Sequence, residues 1–157
     1  MKITCLCIGK TTPQYLVEGI QVYQKRIQKY TPFECVVIPD LKNTKNWPAA
    51  QVKLKEGEAI LKCLQPQDYV CLLDEHGKNF SSIAFSEHLQ KLMNQSFKHL
   101  KFVIGGAYGF NEAVYKRANG KLALSTMTFS HQIIRLIFME QLYRGFSILN
   151  NEPYHNQ

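Results

Sequence analysis

Lys101-Phe102-Val103-Ile104-Gly105-Gly106-Ala107-Tyr108-Gly109-Phe110-Asn111 is the stretch that decides the fold. Its first residues form a short apolar run of the kind a strand buried on both faces shows. Three glycines then open a turn, and Asn111 can cap a short helix running to about Ala118. Strand, glycine turn and capped helix together make the repeating unit of a parallel α/β sheet.

The same alternation extends outward in both directions. Ile3 to Ile8 reads as a strand. Gln14 to Lys29, with Tyr15, Leu16, Gly19, Ile20, Tyr23 and Ile27 at helical spacing, reads as an amphipathic helix, and Phe33 to Ile38 as a second strand. After a loop over residues 40 to 48, a charged helix runs from about Ala49 to Leu64, and Pro66 ends it. Tyr69 to Leu73 is a continuous apolar strand and Asp74 to Phe80 a polar loop, after which Ser81 or Ser82 can cap a helix through Met93. Beyond residue 118 come a short strand, Leu122 to Leu124, and a last helix from about Ser130 to Leu149. The expectation is one domain over residues 1–157: an α/β fold with a mostly parallel sheet and helices on both faces.

Length and composition narrow the function. A chain of 157 residues can bury about two-thirds of the surface its unfolded form exposes. Five cysteines form no C-x-x-C pair and read as reduced core thiols; the histidines match no zinc spacing, so no metal is expected. No apolar run approaches the roughly 20 residues of a membrane span. Met1 to Ile8 has one Lys and no small-residue cleavage site, so it reads as a strand and the protein as cytoplasmic. A net charge of +7 favours a polyanionic partner, but the cations are dispersed and no module that reads base sequence is present.

Ligands of open α/β sheets sit where strands end at their carboxyl side. Three loops leave strands that way: Asp74 to Phe80, Gly105 to Phe110, and Ser125 to Ser130. In Leu124-Ser125-Thr126-Met127-Thr128-Phe129, unpaired main-chain groups can meet a purine-like ligand between apolar walls from Leu124, Met127 and Phe129. The plainer alternative is that Thr128 or Ser130 caps the last helix, and that the glycines make only a tight turn. A dinucleotide fingerprint is absent after the first strand, as is a P-loop, which counts against nicotinamide and flavin enzymes and against Rossmann-type methyltransferases.

The last helix is apolar around nearly its whole circumference, with Arg135, Glu140, Gln141 and Arg144 as its long polar side chains. Such a helix must be covered on two sides, which points to a homodimer packed on it. Glu140 and Arg144, four apart, are either an ion pair or site residues. Tyr154 and His155, near the end of the chain, bring a stacking surface and a titratable group if the tail docks over the loops.

Together, Leu73 to Lys78, Ile104 to Gly109, Leu124 to His131, Glu140 to Arg144 and Pro153-Tyr154-His155 resemble, in order and spacing, the ribosomal RNA large subunit methyltransferase H family of the SPOUT superfamily. The resemblance implies a trefoil knot near the C-terminus and S-adenosyl-L-methionine bound by Leu73, Gly105 and Leu124, Ser125, Thr126, Met127, Thr128 and Phe129. It further implies a homodimer and methyl transfer to N3 of a pseudouridine in large-subunit rRNA of assembled ribosomes. Tyr154 and His155 are then candidates for the acceptor pocket, with His155 the first candidate for base, Arg144 for charge or phosphate contact, and Glu140 for orienting them. Asn156 stands where relatives commonly carry a basic residue, and Ser130 where many carry Pro. Two alternatives stay open at this point: a SPOUT enzyme for another RNA nucleotide, and a non-catalytic ribosome-associated RNA-binding protein.

Overall fold

A computed structural model describes residues 1–155; Asn156, where the resemblance raised the question of a terminal cation, lies with Gln157 outside the described residues. Five strands form one sheet: β1 (Lys2–Ile8), β2 (Phe33–Ile38), β3 (Tyr69–Asn79), β4 (His99–Ile104) and β5 (Gly120–Ala123). Their spatial order is β2-β1-β4-β3-β5, and every pairing is parallel. The helices are α1 (Gln14–Ile27), α2 (Ala49–Lys62), α3 (Ser82–Met93), α4 (Glu112–Arg117) and α5 (Ile133–Leu149).

Because side chains alternate along a strand, each strand feeds two cores. Ile3, Cys5 and Cys7 of β1 pack with Phe102 of β4 against α1, α3 and α5, where Phe138, Met139, Leu142 and Phe146 are buried. Leu6, Ile8, Val103 and Leu72 turn the other way, toward Ile60 of α2, Leu64 just after it and Val114 of α4. The expected caps form: Ala84 N donates to Ser81 Oγ, and Val114 N to the Asn111 side chain.

The strand β3 runs past the expected end at Leu73. Leu122 of β5 is level with Leu73 and again with Lys78, so residues 74 to 77 leave the ladder and the chain returns to it. A Cβ on Gly77 would lie 2.6 Å from the backbone of Leu122, which is how a polar segment read as loop rejoins the sheet. The helix α5 likewise starts at Ile133 rather than Ser130, and Ser130 Oγ accepts from Ile133 N at 3.3 Å.

The amino end of the sheet is clamped by charge. Lys101 Nζ lies 2.8 Å from Asp68 Oδ2 and donates to Cys63 O, while Gln65 N donates to the same carboxylate; both charged side chains are buried. Burial would raise the Asp68 carboxyl, but the Lys101 and Gln65 donors outweigh it and hold the group below its ordinary range. Lys101→Met, which strands a buried carboxylate, is expected to lower unfolding stability at neutral pH by about 3 kcal/mol, measured by urea titration. The Asp68 contribution is complete above the unfolded aspartate value of about 3.9 and is lost as pH falls through the lower folded value. Equal urea midpoints for Lys101→Met and the parent chain would contradict this.

Candidate functional site

Leu73 is level with Ile104 in β4 and with Leu122 in β5, so three neighbouring strands end side by side. The loops that follow enclose a cavity of about 650 Å³. Of the residues expected to hold a cofactor, Leu73, Gly105, Leu124, Ser125, Met127, Thr128 and Phe129 line it, and Thr126 does not. Residues near the mouth carry unusually exposed apolar groups: Met127 is 74% and Tyr108 55% exposed, which is unlike a Met or Tyr serving only the core.

Each wall has a local cause. The glycine loop lies flat because a Cβ at Gly105 would stand 3.1 Å from the Phe110 ring and one at Gly106 2.6 Å from the Glu56 carboxylate. Asp74, at the start of the 74–77 excursion, accepts from Tyr115 Oη at 2.5 Å and from His76 N at 2.8 Å, which fixes a carboxylate on the cavity wall. Burial, then Asp74, pushes the Tyr115 phenol up to about 12, so it remains a donor at neutral pH. Ser125 Oγ accepts from Met127 N, turning the loop at its start.

The far end of that loop is held by a residue that sequence reading counted only as one of α5's polar side chains. Arg135 is 2% exposed. Its guanidinium donates to Ile8 O at 2.5 Å, Gly9 O at 2.7 Å, Thr11 Oγ1 at 3.0 Å and His131 O at 3.0 Å. Gln132 Oε1 adds a bond from Thr12 N. The exit of β1 and the end of the 125–131 loop are therefore tied to each other through these bonds. A cation among Ile134, Leu136 and Ile137 was the available signal for a buried role.

Glu140, Arg144, Tyr154 and His155 do come together, but in a second place. Glu140 Oε1 accepts from Arg144 Nη2 at 2.5 Å, Arg144 Nε at 3.1 Å and Tyr154 Oη at 3.1 Å; Oε2 accepts from Gln141. Since the Tyr154 proton goes to Glu140, Tyr23 Oη donates to Tyr154. Burial and these neighbours raise the Tyr154 phenol, so it stays protonated. Arg144 stacks over the Tyr154 ring and donates to His155 Nδ1 at 3.3 Å. An arginine only donates, so Nδ1 is the acceptor in this contact and, in the neutral imidazole, the hydrogen is on Nε2.

None of these four lines the cavity. Within one chain, the turn after α5 directs the tail away from the cavity loops. Glu152 N donates to Ser147 O and Asn151 N to Ile148 O, with Asn151 at φ 55, a Schellman turn that sends the tail back onto α1 and α5. From Ile134, on the cavity wall, to Glu140 is about 9 Å of helix axis, and to Arg144 about 15 Å.

A family profile described as predicted SPOUT methyltransferase matches residues 1–155. The chain belongs to the SPOUT methyltransferase family. Full-length curated relatives bear the name ribosomal RNA large subunit methyltransferase H: those of Parabacteroides distasonis, Christiangramia forsetii and Bacteroides thetaiotaomicron are 60%, 58% and 52% identical over 157 residues, all of each chain. Among solved structures, Archaeoglobus fulgidus Nep1 bound to S-adenosylhomocysteine aligns over 94% of this chain and all of that one at TM-score 0.47 and 13% identity, a distant likeness only. No helix among the described residues is long and apolar enough to cross a membrane, and no cluster there could hold a metal ion.

In this SPOUT chain the Arg135 bracket is expected to control loop order. Arg135→Met leaves the Ile8 and Gly9 carbonyls without their donor and should lower stability by about 2 kcal/mol. Amide hydrogen exchange over residues 125–131 should accelerate; exchange unchanged there would count against the bracket.

Proposed function

We propose that this chain, as a homodimer, transfers a methyl group from S-adenosyl-L-methionine to N3 of a pseudouridine in large-subunit rRNA of the assembled, cytoplasmic ribosome. One observation carries the reading: the loops after β3, β4 and β5 converge on one cavity, in a chain whose full-length relatives are named ribosomal RNA large subunit methyltransferase H. A C-terminal trefoil knot belongs to the same reading, with the chain after β5 passing beside the 74–77 excursion.

The residues present fit an adenosyl group. The cavity has the volume of a cofactor site, glycines where a Cβ would push the loop off its support, apolar walls from Leu73 and Phe129, and a fixed Asp74 carboxylate for a hydroxyl or ammonium. Leu73, Gly105 and Leu124 to Phe129 would hold it, Thr126 through its main chain. When bound, S-adenosyl-L-methionine supplies a methyl group already activated by the sulfonium, so the protein's task is to align the acceptor nitrogen and exclude water.

The second cluster suits the acceptor. N3 of a uracil-type ring must lose its proton, leaving negative charge on the ring. Arg144 and the Nε2–H of His155 are a cation and a donor for that charge, and Glu140, saturated by four donors, orients them. The cluster favours the anion, and the proton passes to solvent.

Cavity and cluster lie too far apart along one α5 to act on one methyl group, whereas an antiparallel pairing of two α5 helices would bring the tail of one chain to the cavity of the other. Ile133 and Ile137, on the partly exposed side of α5, are apolar surface for that pairing. Lys42 and Lys45, exposed after β2, and Lys53 on the cavity wall join no ion pair among the described residues, which suits a phosphate backbone along this edge.

Labelled methyl transfer to ribosomes from cells lacking the gene tests the reading. Incorporation is expected only where the pseudouridine has been formed, and not on protein-free rRNA; methylation of unmodified uridine or of a bare hairpin would overturn it. For the dimer, Gly106→Ala and Arg144→Met chains should each be inactive alone. Mixed dimers should recover activity, because one of the two shared sites is then intact; no recovery would mean that each site lies within one chain.

A further inference from the structure

Beneath the glycine loop lies a carboxyl group that neither cluster uses. Glu56 is buried on the face of α2 that also buries Val52 and Ile60, and its Oε2 meets no hydrogen-bond donor among the described residues. Both carboxylate oxygens lie 2.6 Å from where a Cβ on Gly106 would stand, so the loop rests directly on the acid. A buried acceptor left unmade is costly, and a buried charge more so.

No cation pairs with Glu56 among the described residues. Lys55 pairs with Glu58, and Lys53, one turn before Glu56, lines the cavity and forms no ion pair. The group acting on Glu56 from another element is Asp40, in the loop after β2; burial first and Asp40 second raise the Glu56 carboxyl above its ordinary value. Ala107 and Tyr108, the residues that follow Gly106, are exposed. The loop's own bond runs from Gly109 N to Gly106 O, while the amides of Ala107 and Tyr108 meet no acceptor among the described residues. A buried acceptor without a partner thus lies against Gly106, next to amides that donate to no backbone acceptor among the described residues.

We propose that Glu56 is the positioning residue of the glycine loop: unpartnered in the free protein, it accepts a backbone N–H of residues 106 to 108 when S-adenosyl-L-methionine seats in the cavity. This rests on the cavity being the adenosyl site. It explains why residue 106 is glycine, since any side chain would separate loop from carboxylate. It also has a thermodynamic signature. A carboxyl that gains donors on binding gives up its proton to solvent, so cofactor affinity rises with pH between the bound and free values of that group.

The test is calorimetric titration of the full chain with S-adenosylhomocysteine in buffers of different ionisation enthalpy, from pH about 5 to about 8. The parent chain should release protons on binding. Glu56→Gln, which keeps the shape and an acceptor oxygen, should bind within about threefold of the parent and lose that release, whereas Glu56→Leu should bind at least about tenfold more weakly. Amide exchange at residues 106 to 108 should slow on binding in the parent and not in Glu56→Leu. A thermal melt of Glu56→Gln should equal or exceed the parent's, because a neutral amide replaces an unpartnered buried carboxyl; if Glu56→Leu does not fold, Glu56→Gln decides alone. Buffer-independent heats at every pH, or proton release surviving in Glu56→Gln, would overturn the role of Glu56 and leave the cofactor site standing. Absence of any binding in the parent chain would sink the cofactor reading first.

Discussion

A parallel sheet has a direction: every strand delivers the chain to the same edge. Here the order β2-β1-β4-β3-β5 makes that edge a row of five exits, and the molecule uses all of it. The exits of β4, β3 and β5 wall the cavity. The exit of β1 is tied by Arg135 to the loop that closes the cavity on its far side, and the loop after β2 places Asp40 near Glu56 under the glycine turn. The opposite edge is sealed by the Asp68–Lys101 pair, which leaves the carboxyl edge as the place where main chain is free to meet a ligand.

Four buried ionisable side chains, Asp68, Lys101, Arg135 and Glu56, divide the described structure into set and unset parts. Lys101 is matched by a carboxylate and a carbonyl, and Arg135 by three carbonyls and a hydroxyl. Both hold their surroundings in one arrangement, since removing either leaves polar groups stranded. Glu56 is the exception, and it lies under the loop that a cofactor would have to displace or grip. The buried cations at β4 and α5 are fully matched, and the unmade hydrogen bond lies under the glycine turn, at the wall of the cavity.

Much of this was legible from residue order because local signals and burial agreed. Apolar runs became β1 to β4, Ser81 and Asn111 became caps, and the three loops assigned to a ligand do meet. What escaped depended on contacts between distant segments. The return of β3 to the ladder at Lys78 needs the backbone of Leu122 against Gly77, and nothing in a polar run announces that. The bonds of Arg135 reach Ile8 and Gly9 from the other end of the chain, and a helical position does not disclose them. The reversal of the tail turns on Asn151 in the left-handed region, a possibility any Asn offers but few take. The members of the tail cluster were therefore legible in the sequence, and their separation from the cavity within one chain was not.

The most direct measurement follows backbone amide resonances of the isotopically labelled protein as S-adenosylhomocysteine is added. The largest shifts should map to residues 73–77, 105–110 and 124–131, with smaller ones at 8–12 through the Arg135 bracket. Shifts centred instead on Tyr154 and His155, or none at saturating ligand, would contradict the claim that the converging strand ends are the adenosyl site.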